Sequence, residues 1–179
     1  PVSLYDYLKM YDEQPDINTT MATKYPGLLK TDVSDFNKKP RVRVSLMPQI
    51  YSDILEPKMQ SIESRIKDIN RLKELGWEVH INYSPVIVYD RFVIEYRNLF
   101  KQVKEIAGEN KCEVIFLTNH NLQMAKAGEL PQELMKFSNE VKNRSGVMRY
   151  PMELKRNTVD IFKTEYSKFF DLSTIRYIF

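Results

Sequence analysis

The amino-acid sequence predicts an α/β fold with mostly parallel strands, and two observations lead to this prediction. Residues 41–48 and 79–88 are rich in β-branched residues, as strands are, and the segment between them carries apolar residues at spacings of three and four, which is typical of an amphipathic helix. A strand, a helix and a second strand form a crossover unit with parallel neighbouring strands. The alternation continues with another helix and another strand. We therefore expect one layered α/β domain, or part of one.

The first half of the chain holds the crossover unit and two earlier elements. A short helix is expected over residues 2–11, and a threonine-rich strand over residues 17–24. The first strand of the crossover unit stops at Pro48, because proline cannot donate to a strand ladder. The helix at 59–75 is expected to end at Gly76, which can adopt the left-handed conformation common at helix ends.

The second half begins with a helix over residues 91–107, for which Asp90 is the expected N-cap and Gly108 the expected end. A strand at 112–117 follows, and its exit carries Asn119 and His120.

The last part of the chain begins with a stretch whose residue pattern predicts no clear helix or strand. Weak helical signals lie between residues 122 and 135, and a basic region covers residues 136–156. Asn157 is the expected cap of a last helix, and a closing strand is expected over residues 174–179. This divides the chain into residues 1–135, which contain the alternating strands and helices, and a carboxy-terminal extension at 136–179.

Composition excludes several classes of protein. The 179 residues include one cysteine, Cys112, which rules out an internal disulfide framework and predicts a reducing, cytoplasmic setting. No apolar run is long enough to span a membrane, so no membrane partner is expected. A net charge of +3 neither requires nor excludes nucleic acid. The sequence contains no residue spacing typical of a zinc site, a P-loop or a dinucleotide-binding fold. Because it begins at Pro1 and not at a methionine, we expect a processed product or a fragment.

Polar side chains close to the strand exits predict a ligand site, because ligands of parallel sheets bind beyond the carboxyl ends of the strands. These residues are Lys24, Ser45, Ser84 and the Asn119/His120 pair. Together they could hold a carboxylate, an ammonium group and a ribose. Each also has a simpler interpretation: the serines as turn-capping hydroxyls, Lys24 as a solvated cation, and His120 as a hydrogen-bonded structural residue. The basic region could likewise be only a solvated surface.

Several short motifs, taken in order, carry a resemblance to a known family. They are Ala22-Thr23-Lys24, Arg43-Val44-Ser45, Leu55-Glu56-Pro57, Ser61 with Arg65-Ile66, Ser84-Pro85-Val86-Ile87-Val88, Glu95-Tyr96 with Leu99-Phe100, Ile115 to His120, Val147 to Lys155 with its Arg-Tyr, and Thr174 to Phe179. In order and spacing this set resembles the second half of the spore photoproduct lyase family of radical S-adenosylmethionine enzymes. No single motif is specific, but the resemblance covers essentially the whole chain.

The resemblance implies the carboxy-terminal half of a partial (β/α) barrel of the radical S-adenosylmethionine type, followed by a β-hairpin, a helix and a closing strand. It also implies a [4Fe–4S] cluster, whose three-cysteine loop is absent from this sequence. Cys112 alone cannot ligate a cluster, so that loop would come from a missing amino-terminal half or a partner chain. We assign no catalytic residue and no metal ligand within this chain.

The resemblance also implies roles for individual residues. Lys24, Ser45 and Ser84 fall at positions expected to contact S-adenosylmethionine, with Pro85 shaping the strand exit. Glu56 and Arg65 are expected to form an architectural pair, with ligand contact as the alternative.

For DNA, the resemblance points to the carboxy-terminal hairpin. Arg149 and Tyr150 match the element expected to contact DNA, where an arginine can bind phosphate and a tyrosine can pack against an extruded lesion. Pro151 departs from the glycine-rich hairpin expected there, which affects the substrate prediction more than the fold prediction.

The leading hypothesis is therefore part of a radical enzyme that reverses a thymine-dimer DNA photoproduct. The resemblance implies reductive cleavage of S-adenosylmethionine and hydrogen abstraction from the photoproduct by the 5′-deoxyadenosyl radical. Scission then gives two thymines once a hydrogen atom is returned to the product radical. DNA is then the expected partner, and a monomer the expected state. The alternatives are a related radical enzyme with another substrate, a degenerate protein that binds nucleic acid or a nucleotide without catalysis, and an unrelated barrel hydrolase, for which the sequence offers no carboxylate pair.

Overall fold

A five-stranded sheet is the centre of the structure, a computed structural model that describes residues 2–14, 16–88, 91–116, 141–142, 148–149 and 152–178. The strands are β1 Thr20–Thr23, β2 Arg41–Leu46, β3 Glu78–Val86, β4 Cys112–Phe116, β5 Val141–Lys142, β6 Met148–Arg149 and β7 Ile175–Ile178. The strand order of the five-stranded sheet is β1-β2-β3-β4-β7, and every neighbouring pair is parallel. Strands β5 and β6 form a separate antiparallel pair. The α-helices are α1 Leu4–Asp12, α2 Gln49–Leu55, α3 Ile62–Glu74, α4 Phe92–Ala107 and α5 Met152–Tyr166.

The helix ends follow from local sequence chemistry. Ser3 and Asp6 form a capping box that satisfies free backbone donors at the start of α1, and Ser61 caps α3 by accepting from the backbone N–H of Ser64. The chain leaves α3 through Gly76, whose φ of 88° lies in the left-handed region, and leaves α4 through Gly108, whose φ is 67°. Both glycines end their helices as predicted.

One face of the sheet packs against helices and forms an apolar core. Tyr83 of β3 lies there, fully buried, with ring centroids 5.4 Å from Phe100 of α4 and 6.0 Å from Phe162 of α5. Phe100 and Phe162 also contact each other edge to face at 5.1 Å. These ring contacts hold α4 and α5 against the middle of the sheet.

The other face of the sheet is polar. In register, Arg41 of β2 pairs with Glu78 of β3, and the next row along pairs Arg43 with His80. A third row crosses four strands, and it consists of Ser45, Asn82, Glu113 and Tyr177. Because side chains alternate between faces along a strand, these rows form one continuous polar surface opposite the helices.

The structure corrects several sequence expectations about element boundaries. The last helix begins at Met152 instead of being capped by Asn157, which lies within α5. Helix α4 has Arg91 at its N-cap position, and Arg91 makes no side-chain cap hydrogen bond. The prediction that Asp90 is the N-cap of this helix is therefore wrong. The crossover segment contains two helices, since α2 precedes α3. Lys155 lies in α5, so the expected hairpin ends before it, although β5 and β6 do pair as a hairpin would.

The closing strand and the crossover unit are confirmed. Strand β7 pairs in parallel with β4, and β2 pairs in parallel with β3. The expected helical signals at 122–135, the Asn119/His120 pair and the boundary between residues 135 and 136 lie outside the described residues.

Candidate ligand site at the carboxyl end of the sheet

Lys24 immediately follows strand β1 and forms an ion pair with Glu56, which follows helix α2. The Lys24 Nζ atom lies 2.7 Å from Oε1 of Glu56. The two partners differ in accessibility, since the lysine side chain is 47% exposed and the glutamate side chain is 4% exposed. The ammonium group of Lys24 is therefore held on a buried carboxylate while much of the side chain remains open to solvent.

A second cation, Arg65 of α3, contacts the other oxygen of the same carboxylate. Its NH2 atom lies 2.8 Å from Oε2 of Glu56, and its side chain is fully buried. Its NH1 donates to the backbone carbonyl of Ser45 at 3.1 Å, and its Nε donates to the carbonyl of Gln60 at 2.7 Å. Burying a guanidinium is costly unless it is paired and hydrogen-bonded, and here both conditions are met. The predicted Glu56–Arg65 pair is thus present, and it connects α3 to strand β2.

An open pocket of about 240 Å³ lies next to this ion-pair group. Its lining combines two lysines and one carboxylate with apolar side chains: Lys24, Leu55, Glu56, Pro57, Lys58 and Met59. A wall of this kind can pack against an apolar part of a ligand while the lysines bind an anionic group.

The two predicted serine positions lie on neighbouring strands and are more enclosed than expected. Ser45 is buried within β2, one residue before the end of that strand, so it does not form the exit itself. Ser84 is partly buried and lies within β3, which continues through Pro85 to Val86. The register of β3 against β4 is irregular between Tyr83 and Val86, and such irregularities are common next to binding sites. The structure therefore connects Lys24, Glu56, Arg65 and the Ser45 backbone, and leaves Ser84 one strand away.

The polar face of the sheet contains a second charged group, centred on Glu113 of β4. Arg43 donates to Glu113 at 2.9 Å, Arg176 lies 3.4 Å from the other oxygen, and the Tyr177 hydroxyl donates to the carboxylate as well. Burial raises the pKa of Glu113, but the hydrogen bonds from Tyr177 and Arg43 outweigh it and hold the pKa below its ordinary value. Glu113 is therefore an ionised carboxylate that joins β2, β4 and β7.

A neighbouring group on the same face involves the buried imidazole of His80. Its Nε2 lies 2.8 Å from Glu78, which also accepts from Arg41 at 3.0 Å. Burial lowers the pKa of His80, so the ring is neutral near pH 7. Among the described residues, the Nδ1 atom of His80 and the Oδ1 atom of Asn82 are buried without a hydrogen-bond partner. Both atoms can accept a hydrogen bond from a polar ligand on this face: Oδ1 of Asn82 is an amide oxygen, and Nδ1 of the neutral His80 ring is unprotonated when Nε2–H donates to Glu78.

Sequence reasoning missed this polar face, although a signal was present. Polar residues occupy alternate positions in Arg41-Val42-Arg43-Val44-Ser45 and in Glu78-Val79-His80-Ile81-Asn82. Alternation with a period of two indicates a strand with one polar face, and two neighbouring strands with the same pattern indicate a polar sheet surface.

Cys112 lies at the start of β4 and does not suit an iron–sulfur cluster. It is buried, its Sγ lies 3.4 Å from the Tyr166 hydroxyl, and burial raises its pKa to about 12. Clusters are held by several thiolates, and this chain has one cysteine. In addition, no three acidic, histidine or cysteine side chains of the described residues come together as a metal site.

The remaining predicted site residues cannot be placed in this geometry. His120 and Tyr150 lie outside the described residues, and for Arg149 the structure describes only its position in strand β6. Within the same described part of the chain, no helix has the length and apolar character needed to cross a membrane.

Comparison with solved structures identifies the fold. Solved structures of spore photoproduct lyase match the chain. They include a mutant with bound AdoMet and dinucleoside spore photoproduct (14% identity, TM-score 0.73), a complex with dinucleoside spore photoproduct (16%, 0.73) and a further mutant (15%, 0.74). Each match covers 98% of this chain and 55% of the other chain. No protein-family model and no curated protein sequence matches.

The predicted fold class is confirmed by this comparison. Five parallel strands with their helices match the partial radical S-adenosylmethionine barrel of spore photoproduct lyase. The chain spans about half the length of the structures it matches. At 14–16% identity the similarity establishes the fold, and the roles of individual residues remain predictions.

Proposed function

We propose that this chain is the part of a radical S-adenosylmethionine enzyme that binds the cofactor's amino-acid group and the substrate, with a thymine-dimer DNA photoproduct as that substrate. The observation that supports it most is the fold match over 98% of the chain to spore photoproduct lyase, including a structure of that enzyme with bound AdoMet and dinucleoside spore photoproduct. The order of short motifs along the sequence resembles the same family.

The residues at the carboxyl end of the sheet fit S-adenosylmethionine. The cofactor carries a carboxylate, an ammonium group and an adenosine. The half-exposed side chain of Lys24 offers its ammonium group for the carboxylate, and the Leu55 and Met59 side chains offer an apolar wall. Ser45 and Ser84 are the proposed polar contacts on β2 and β3. When bound, S-adenosylmethionine supplies radical hydrogen abstraction, and the protein orients the reacting groups and excludes quenching side chains.

The cluster does not fit this chain, because its one cysteine is buried and its thiol is protonated near neutral pH. The proposal therefore requires a three-cysteine segment elsewhere on the polypeptide or on a partner chain. The intact mass, amino-terminal sequence and iron content of the protein as its source makes it will decide this point. A mass near 21.3 kDa without iron would favour the second candidate, a protein that binds nucleic acid or a nucleotide without radical chemistry.

The cofactor role of Lys24 is tested by calorimetry. We expect Lys24→Ala in the intact protein to weaken S-adenosylmethionine binding by roughly 1.5 to 3 kcal/mol, the range for a hydrogen bond to a charged group. Lys67→Ala is the matched control, because Lys67 is an exposed lysine of α3 that pairs with Glu63 on the helix surface. Equal affinities for Lys24→Ala and wild type would remove Lys24 from the cofactor site.

Activity is measured with dinucleoside spore photoproduct under anaerobic conditions. Formation of 5′-deoxyadenosine together with repaired thymines supports the full proposal. Formation of 5′-deoxyadenosine without repair would retain the radical chemistry and reject this substrate, in favour of a related enzyme with another substrate.

DNA binding is the proposed role of Arg149 and Tyr150, and salt dependence tests it. Each phosphate contact contributes about one unit to the slope of log affinity against log salt concentration. Arg149→Ala should lower that slope by about one, whereas Lys101→Ala, on the exposed surface of α4, should leave it unchanged. An unchanged slope for Arg149→Ala would return the basic region to an ordinary solvated surface. A monomeric, cytoplasmic protein completes the proposal.

A further inference from the structure

Two cationic side chains at the candidate site share one carboxylate, and the two cations are buried to different extents. Glu56 lies between Lys24 at 2.7 Å and Arg65 at 2.8 Å. The arginine is fully buried, whereas the lysine side chain is 47% exposed and lines the open pocket. The group therefore carries two positive charges and one negative charge, with the excess positive charge on the side that a ligand can reach.

We infer that Arg65 is a positioning residue that neutralises Glu56 and so leaves the charge of Lys24 available for the carboxylate of S-adenosylmethionine. This inference rests on the proposed function, and it assigns to Arg65 an effect on ligand binding without direct ligand contact.

The expected effect of Arg65 follows from the strength of ion pairs that are shielded from water. A buried carboxylate requires a compensating cation, because its own hydration has been lost. With Arg65 in place, that cation is the buried guanidinium, which also donates to the carbonyls of Ser45 and Gln60. Without Arg65, Lys24 would be the remaining partner of Glu56, and a ligand carboxylate would have to compete with Glu56 for the same ammonium group.

A cycle of variants separates this electrostatic role from a purely structural one. In the intact protein, Arg65→Gln is expected to weaken S-adenosylmethionine binding by roughly tenfold, because the charge of Lys24 is then taken up by Glu56. The double variant Glu56→Gln with Arg65→Gln should return to within about threefold of wild type, because no carboxylate remains to compete. If Arg65 only supported the backbone, the double variant would bind as weakly as the single variant or more weakly, and the inference would be overturned.

A second ligand shows which part of the cofactor is affected. Methylthioadenosine retains the adenosine and lacks the amino-acid carboxylate. Its affinity should change by less than about twofold in Arg65→Gln, because the lysine charge does not act on it directly. Equal weakening of both ligands would show a general distortion of the pocket and would overturn the inference.

A matched control exists elsewhere in the chain. Glu165 of α5 also lies between an arginine and a lysine, with Arg97 at 2.7 Å and Lys168 at 2.6 Å. Arg97→Gln changes an arginine in the same arrangement outside the candidate site, and it should leave S-adenosylmethionine affinity unchanged. If it weakens binding as much as Arg65→Gln does, the effect is one of net charge, and the inference fails.

Two further outcomes complete the test. Where Arg65→Gln does not fold, Glu56→Gln alone decides, since it should bind S-adenosylmethionine at least as well as wild type. A loss equal to that of Lys24→Ala would make Glu56 a direct ligand and overturn the inference. Failure of wild type itself to bind S-adenosylmethionine would reject the proposed function together with the inference, whereas wild-type binding with no effect in Arg65→Gln would reject the inference alone.

Discussion

Glu165 offers a direct test of how the last helix is attached to the rest of the chain. It lies in α5, where it accepts two hydrogen bonds from Arg97 of α4, at 2.7 and 3.1 Å, and one from Lys168 at 2.6 Å. The hydrogen bonds from Arg97 lower the pKa of Glu165 from its ordinary 4.5 to about 2. Glu165→Gln removes the charge and keeps the shape of the side chain, so it isolates the ionic contribution to stability.

The expected magnitude follows from the pKa. A carboxyl group whose pKa falls from 4.5 to about 2 on folding contributes at most about 3 kcal/mol at neutral pH. Water screens this pair, because the side chains of Arg97 and Lys168 are each 45% exposed. We therefore expect Glu165→Gln to lower the free energy of unfolding by about 1 kcal/mol at pH 7. Since the folded-state pKa is depressed, this contribution is present above pH 4.5 and is lost as the pH falls towards 2.

Urea unfolding of both proteins at pH 7, pH 4 and pH 3 measures this effect. The difference between wild type and Glu165→Gln should be largest at pH 7 and should shrink at each lower pH. The control is Glu63→Gln, which changes a solvent-exposed pair on α3 and should cause no comparable difference. A difference that stays constant from pH 7 to pH 3 would refute the reasoning, because the loss would then come from packing and not from the carboxylate charge.

Three other predictions concern stability and are checked by chemical denaturation. Phe162→Ala should cost about 3 to 5 kcal/mol, because Phe162 is fully buried among aromatic rings between the helices and the sheet; a cost below 1 kcal/mol would mean that α5 does not pack there. Gly76→Ala should cost about 2 kcal/mol or more, because φ is 88° and a Cβ would lie 2.6 Å from the Ser34 backbone; wild-type stability would contradict this geometry. Glu113→Gln should lower the free energy of unfolding by about 1 to 3 kcal/mol at pH 7, because Arg43 loses its carboxylate partner. The loss should diminish at pH 4, since the pKa of Glu113 is lowered in the folded state, and equal losses at both pH values would exclude the ionic role.

The candidate site shows how far residue patterns reach. Lys24 and Ser45 are predicted from their places near strand exits, whereas Glu56, Arg65 and their pairing are implied only by the resemblance to the spore photoproduct lyase family. Their arrangement is not predictable in detail from residue patterns, because it depends on helix α2, which has no clear pattern of its own in the sequence. Helix α2 is short, because it spans only residues 49–55. It also lacks a side-chain cap, since Pro48 occupies the N-cap position and makes no side-chain hydrogen bond. Such a helix is formed by its tertiary packing more than by its own propensity.

The sequence by itself determined the type and order of the main elements. Repeats of three and four residues indicate helices, β-branched runs indicate strands, and Gly76 and Gly108 mark helix ends; these are local properties that short segments carry alone. Only the tertiary structure decided which side chains meet. Arg43 and Glu113 are 70 residues apart in sequence, yet they form an ion pair across strand β3. Such contacts depend on the order and register of parallel strands, which are selected by the packing of the whole sheet and leave no mark in any one segment.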